Sequence, residues 1–264
     1  MERWVSCHLL HFEIQFIPLM QKDTLSDPSG FETLDAISQA DAFNRWQFDA
    51  LNRSVQGQIL EIGSGTGNIS ALLLENHSHV SLSDLRPEYC QLLQSKFSNN
   101  PHFKGVYELD LSVHNFDSQH PELLEKFDTV IASNVIEHIT PDTLAVRNAK
   151  ALLRKGGRLI ILVPAGQWLY NSLDKELGHY KRYSKSKLKS LLESAGLVVT
   201  DTRYFNAAAI LGWWISGKVL KEKTISVSKM NLYNRLTPFF KITDRFITPF
   251  IGISVISVGV KNVD

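Results

Sequence analysis

The stretch ILEIGSGTGNIS, residues 59–70, constrains the fold more than any other. An apolar strand-like run leads into glycines at 63, 65 and 67, and the chain then takes up a helical pattern in NISALLLEN. Alternating glycines between a strand and a helix permit a tight turn and let backbone N–H groups approach a ligand closely. The order departs from the dinucleotide fingerprint G-x-G-x-x-G, because Asn68 stands where that pattern wants its last glycine.

After this turn the sequence alternates between strand and helix patterns. QILEI, HVSLSD, FKGVYELDL, KFDTVIAS, RLIILVP, LVVTDTRYF and ISVISVGVK read as strands. Between them, NISALLLEN, PEYCQLLQSKF, DTLAVRNAKALLRKGG and KSKLKSLLESAG read as helices, the last two ending on glycine stops. This alternation predicts a mainly parallel sheet with right-handed crossovers. RLIILVP is apolar throughout, as expected of a strand covered on both faces. Residues 34–54 show helical spacing, with Ile37, Ala40, Phe43, Phe48 and Leu51 on one stripe and Trp46 at its flank. Two segments, 165–183 and 206–250, exceed the length of plain connections and read as functional insertions.

Bulk properties narrow the class. The chain has 264 residues, 44% of them hydrophobic, enough for one sizeable core or a core with a cap. Its 28 Lys+Arg and 27 Asp+Glu nearly cancel, which argues against wholesale nucleic-acid binding. Cys7 and Cys90 match no disulfide framework and no zinc spacing, so free thiols in a reducing, cytoplasmic setting are expected, with no metal site. No apolar run reaches the roughly 18 residues of a membrane span. The first 19 residues make a poor signal peptide and read as a strand pair or a leader.

The residues that bear chemistry cluster at the carboxyl ends of the expected strands. Asp84 closes the second strand, where a carboxylate can accept both hydroxyls of a ribose. Asp110 ends the third; it reads either as an adenine contact or as a turn cap. Together, Glu61-x-Gly63-x-Gly65-x-Gly67, Asp84, Asp110-Leu111 and FDTVIASNVIEHI resemble the motifs of class I S-adenosylmethionine-dependent methyltransferases, in particular a bacterial small-molecule subgroup. The likeness covers residues 57–204 and the final strand. It implies an α/β fold: a Rossmann-like sheet, mainly parallel with the last strand antiparallel, and a helical cap inserted between the last two strands. It also implies S-adenosylmethionine as cofactor. Glu61, Gly63, Ser64, Gly65, Thr66 and Gly67 would hold its methionine part, Asp84 its ribose, Leu85 would pack beside the adenine, and Asp110 and Leu111 would meet it. Ser133 and Asn134 would line the reacting end. Residues 1–56 would cover the cofactor, and residues 57–264 would form the transferring domain.

Methyl transfer from a sulfonium is an in-line displacement, so the protein chiefly aligns a nucleophile. His138 is the base candidate for an oxygen acceptor; its alternative role is local hydrogen bonding and pocket shape. The D/N-P-P-Y/F stretch of enzymes that methylate bases and glutamine is absent, and no cysteine occupies the nucleophile position of C5-methylating enzymes, so nucleic acid is not an expected partner. In SLDKELGHYKRYSK, His179, Tyr180, Arg182 and Tyr183 are candidates to face the acceptor, His179 and Tyr183 as further catalytic groups, and Ser184 as a helix cap.

Residues 206–250 carry Lys or Arg at 218, 221, 223, 229, 235, 241 and 245 against acids at 222 and 244, a local charge of +5 in a chain of +1. With Trp213 and Trp214 in an apolar run, this segment is expected to roof the acceptor site, with Lys218 or Arg235 near its mouth and a break at Pro238. The acceptor is then small or lipid-linked, with anionic character, and membrane contact at most peripheral. Two other readings compete. One is an NAD(P)-dependent oxidoreductase, because Tyr183 and Lys187 have Y-x-x-x-K spacing, although the T-G-x-x-x-G-x-G turn is missing. The other is a non-catalytic binding protein on the same fold.

Overall fold

The structure, a computed structural model, describes residues 28–263. Cys7 and the first 19 residues lie outside the described region. Seven strands form one sheet: β1 (Ile59–Ile62), β2 (Val80–Asp84), β3 (Phe103–Glu108), β4 (Phe127–Ser133), β5 (Leu153–Pro164), β6 (Leu197–Phe205) and β7 (Ser254–Lys261). Their order is β3-β2-β1-β4-β5-β7-β6. β1 to β5 run parallel, whereas β7 is antiparallel to both β5 and β6. The fold is therefore the α/β, Rossmann-like sheet implied by the motifs, with the final strand reversed.

The helices are α1 (Pro28–Ser38), α2 (Asp41–Asn52), α3 (Asn68–Asn76), α4 (Pro87–Phe97), α5 (Phe116–Gln119), α6 (Asp142–Ala151), α7 (Ser172–Glu176), α8 (Lys185–Ser194), α9 (Ala209–Trp214) and α10 (Val227–Ile247). Successive strand residues face opposite sides, so two cores form. Leu60, Ile62, Val130, Ala132, Ile161 and Val163 pack under α6 and α8. Ile59, Val80, Leu82, Ile131, Ile160 and Leu162 pack under α2, α3 and α4. Every residue of β1 and β2 is buried, which explains their lack of polar alternation.

Several local expectations are corrected. The helix expected over 142–157 ends at Ala151, because Leu152 offers its carbonyl to the amides of Lys126 and Phe127 and the chain enters β5 at once. Residues 34–54 form parts of two helices, since Ala40 leaves helical geometry between α1 and α2. Trp46, placed at the flank by periodicity, is buried with its ring edge-on to Phe205 at 4.9 Å. α10 continues through Pro238 without a break, and the Thr237 hydroxyl there donates to the Tyr233 carbonyl.

Between β6 and β7 the chain forms α9, a π-helical turn over Ile215–Val219, and α10. α10 lies against α2, where the Phe43 amide donates to Asn234 Oδ1 at 3.2 Å and the Phe43 and Tyr233 rings meet edge-on. A buried Asp244 carboxylate accepts the amides of Asn206 at 3.1 Å and Ala207 at 2.5 Å, fastening α10 to the exit of β6. Removing that acceptor leaves two enclosed amides unpaired. Asp244→Ala is expected to lower stability by about 1–3 kcal/mol, measured by chemical denaturation, with new proteolytic cleavage confined to residues 206–250.

Candidate active site

The turn after β1 takes its shape from its glycines and from Asp84. Gly63 has φ +68°, and a Cβ there would stand 2.4 Å from Val135 Cγ2. Gly67 has φ +83°, and its Cβ would meet the Phe97 ring at 2.7 Å. Side chains at either position would be both strained and obstructed. The Gly65 amide donates to Asp84 Oδ2 at 2.9 Å, and the Arg86 amide donates to Oδ1 at 3.0 Å. A carboxylate offers about four acceptor sites, so Asp84 retains capacity for a ligand hydroxyl. Burial raises the Asp84 pKa, and these amides oppose the shift. Asn68, where a dinucleotide turn would carry glycine, donates from Nδ2 to the Leu34 carbonyl at 3.1 Å and ties α1 to the loop.

Glu61, Asp84 and Asp110 line one cavity of about 1210 Å³ at the carboxyl edge of the sheet. Glu61 is buried, and its carboxylate accepts from the Ser70 hydroxyl. Desolvation pushes its pKa up to about 7 against that hydrogen bond. Asp110 accepts the amide and hydroxyl of Ser112 at 2.7 and 2.6 Å, so it closes a turn while still lining the cavity. The turn-cap and ligand readings of this residue are compatible. Leu85 is half exposed in the lining and Leu111 is buried, which gives two apolar surfaces on which a planar ring can lie. Gly63, Ser64 and Gly65 also line the cavity, but Thr66 and Gly67 do not. The Thr66 carbonyl is taken by Lys96 Nζ at 2.9 Å, and Gly67 caps α3.

Past β4, Ser133, Asn134 and His138 reach the same cavity. Ser133 Oγ accepts from Gln47 Nε2 at 3.2 Å, which joins α2 to this edge. Asn134 adopts φ +55°, and its amide donates to Leu162 at 2.8 Å. His138 is exposed to the cavity, its ring edge-on to His179 at 4.8 Å between centroids. Glu137, one residue earlier, is completely buried with no hydrogen-bond partner on either carboxylate oxygen. Desolvation pushes its pKa up to about 8.

The segment 165–183 is organised by Asp174, a residue not singled out by the motifs. Asp174 is fully buried, and Oδ1 accepts from His179 Nδ1 at 2.9 Å and Arg182 Nε at 2.8 Å, while Oδ2 accepts the Asn171 amide at 3.0 Å. Burial raises its pKa, but these donors outweigh that and hold it below the ordinary carboxylate value. Asn171 and Asp174 form a capping box on α7, a signal already present in the Asn-x-x-Asp spacing. His179, Tyr180 and Arg182 line the cavity. Arg182 is nonetheless committed: it also donates to the Ala165 carbonyl at 3.1 Å and lies under the Trp213 ring at 4.7 Å.

Besides Thr66 and Gly67, further expected residues lie outside the lining. Tyr183 is buried in the core, and its hydroxyl donates to Asp142 Oδ2 at 2.9 Å, outside the cavity lining. Burial and the adjacent carboxylate both raise its pKa, which disfavours a phenolate base. The Y-x-x-x-K spacing with Lys187 is thus a coincidence of α8 and its approach. Trp213 lines the cavity, whereas Trp214 is 41% exposed and does not. Lys218 and Arg235 are also outside the lining; Lys229 and its ion-pair partner Glu222 are inside it. Tyr233, Met230 and Phe240 of α10 complete the apolar wall.

The model of a family described as methyltransferase domain matches residues 35–202. A ubiquinone biosynthesis O-methyltransferase of Xanthomonas euvesicatoria is 26% identical over 157 residues, covering 54% of this chain and 64% of that protein. One from Xylella fastidiosa is 25% identical over 177 residues, covering 61% of this chain and 70% of that one. The chain thus spans about two thirds of the length of these curated relatives. Among solved structures, a chain of the complex between the Trm112 methyltransferase activator and a methyltransferase from Haloferax volcanii superposes with a TM-score of 0.59 at 14% identity, covering 90% of this chain and all of that one. A SAM-dependent methyltransferase from Archaeoglobus fulgidus gives 0.52 at 15% identity, covering 83% and 94%.

Proposed function

Because this chain belongs to the methyltransferase-domain family, we propose that it transfers the methyl group of S-adenosylmethionine to a hydroxyl of a small acceptor with an apolar body. The observation that carries the reading is continuity: one cavity joins the glycine turn and the acids ending β1, β2 and the β3 edge to His138, His179 and the apolar wall of α9 and α10. In this reading Glu61 and residues 63–65 hold the methionine part, Asp84 the ribose, and Asp110 with Leu85 and Leu111 the adenine. Residues 57–264 form the transferring domain, while the helices before it and residues 206–250 cover the two ligands.

The chemistry asks little of the protein beyond alignment. The acceptor oxygen attacks the methyl carbon along the line of the breaking C–S bond, and the bond's electron pair stays on sulfur, giving S-adenosylhomocysteine. His138, exposed at the reacting end, takes the hydroxyl proton. An apolar acceptor body fits Trp213, Met230, Tyr233 and Phe240. The names of the O-methyltransferase relatives favour an oxygen acceptor over nitrogen. A lipid-linked or anionic acceptor belongs to the same proposal: residues 206–250 carry a +5 charge, and no helix among the described residues is long and apolar enough to cross a membrane.

Incubating the protein with methyl-labelled S-adenosylmethionine and a fractionated cell extract tests the reading; label that stays in the cofactor throughout would overturn it. Asp84→Ala is expected to weaken S-adenosylhomocysteine binding about ten- to a hundredfold, since charge-assisted hydrogen bonds contribute about 1.5–3 kcal/mol. Unchanged affinity in a folded variant would remove Asp84 from the ribose.

Glu61 supplies a pH signature. Its carboxyl has its pKa raised to about 7, so at lower pH it holds a proton that must leave before it pairs with the cofactor's ammonium. Affinity is therefore gained as pH rises through 7 and lost as pH falls, by about tenfold between pH 8 and pH 6. Calorimetric titration across that range should show this slope, and Glu61→Gln should flatten it.

A further inference from the structure

We propose that Glu137, His138 and His179 form a binding site for one divalent transition-metal ion in the wall of the cavity. This rests on the methyl-transfer reading only for its purpose, not for its existence. One carboxylate oxygen and one nitrogen from each histidine lie within 4.8 Å of one another. His179 Nε2 stands 4.0 Å from Glu137 Oε1. Donors sharing an ion at about 2.0–2.2 Å stand about 3–3.6 Å apart, so small rotations of these side chains close the set.

Three features separate this cluster from a chance meeting of polar groups. Both Glu137 oxygens are fully enclosed and have no hydrogen-bond partner, a costly arrangement that a coordinated cation relieves. His179 is pre-set as a ligand: its Nδ1–H donates to Asp174, which leaves the Nε2 lone pair directed towards Glu137. That carboxylate–histidine relay is the support metal-binding imidazoles usually have. Once an ion displaces the Glu137 proton, two carboxylates, Glu137 and Asp174, face a single guanidinium, Arg182, already bound to Asp174, so the charge of the occupied site is balanced by a cation.

One carboxylate and two imidazoles favour Zn²⁺, Mn²⁺, Fe²⁺ or Co²⁺ over Mg²⁺ or Ca²⁺, which prefer all-oxygen sets. The ligands come from two distant segments, 137–138 and 179, so no sequence spacing displays the site. His138 and His179 both line the cavity, so the remaining coordination positions open towards the acceptor. With an ion bound, His138 serves as a ligand rather than as the base: the coordinated hydroxyl gives its proton to water, and its oxygen then attacks the methyl carbon while the C–S electron pair stays on sulfur. The acceptor class is thereby narrowed to compounds carrying a hydroxyl that can reach an ion.

The test uses the full chain, tag-free and stripped with a chelator, titrated calorimetrically with Zn²⁺ and Mn²⁺ and spectroscopically with Co²⁺. One ion per chain is expected, with visible Co²⁺ bands of nitrogen and oxygen ligation. His138→Ala, His179→Ala and Glu137→Gln should each weaken binding by about tenfold or more, while the pair His114→Ala and His120→Ala leaves it intact. His138 is exposed, so its variant remains informative if the buried substitutions fail to fold. S-adenosylhomocysteine binding is measured in parallel. Retained cofactor binding with no stoichiometric ion, or ion binding unaltered in His138→Ala, would overturn the metal site and leave the methyl-transfer reading standing. Ion binding without cofactor binding would do the reverse.

Discussion

The crevice between the carboxyl ends of β1 and β4 is the constraint from which the rest of this molecule follows. These strands are neighbours, yet the chain leaves β1 towards β2 and β3, whereas it leaves β4 towards β5. Crossovers diverging from adjacent parallel strands open a gap that no helix fills, and ligands of such sheets bind there. The glycine turn forms one lip, with Gly63 seated on Val135 from the other lip at a separation that admits no side chain. The residues given a chemical role stand on one of these two lips, at the neighbouring ends of β2 and β3, or on a segment folded over them.

The second lip is made rigid by buried charge. Asp174 gathers His179, Arg182 and the Asn171 amide in a place where an unpaired carboxylate would be costly. It also draws residues 178–182 against the Glu137 carbonyl, which accepts the Tyr180 amide at 2.9 Å. Arg182 therefore reads as a positioning residue rather than as a free anion receptor, although it lines the cavity. The same cluster brings His179 from a remote insertion to within ring contact of His138. A pair of histidines that the sequence separates becomes one chemical unit.

What the sequence disclosed follows the reach of each interaction. Strands β1, β2 and β4 and the glycine turn are local patterns, and their burial and backbone geometry are set by nearest neighbours. The end of α6 was not legible, because Lys126 and Phe127, at the start of the neighbouring strand β4, capture the Leu152 carbonyl. Nor was the burial of Trp46, which depends on Phe205 near the far edge. In the site, the acids at strand ends were legible by register. Tyr183 was not: a tyrosine four residues after His179 looks catalytic until its hydroxyl is found turned onto Asp142, outside the cavity. The orphaned state of Glu137 is a property of enclosure, and no spacing rule reports enclosure.

The cap differs from the sheet in how it is held. Its cations Lys223, Lys229 and Lys241 are engaged by Glu176, Glu222 and Asp49 near the surface, where such pairs contribute about 0–1 kcal/mol each. Its firmer hold is the edge-on contact of Tyr233 with Phe43, the packing of Phe240 and Met230, and the buried Asp244. The other face of α10 leaves Phe239, Ile242 and Phe246 exposed. The central strands of the sheet, by contrast, are buried on both faces and carry a continuous ladder. Local stability falls where buried apolar contacts are few, so the cap is expected to open more readily than the strand ends. In the proposed transfer, the lips would stay fixed while α9 and α10 let ligands pass, the division of labour an in-line transfer calls for: rigid geometry at the reacting atoms and yielding structure away from them.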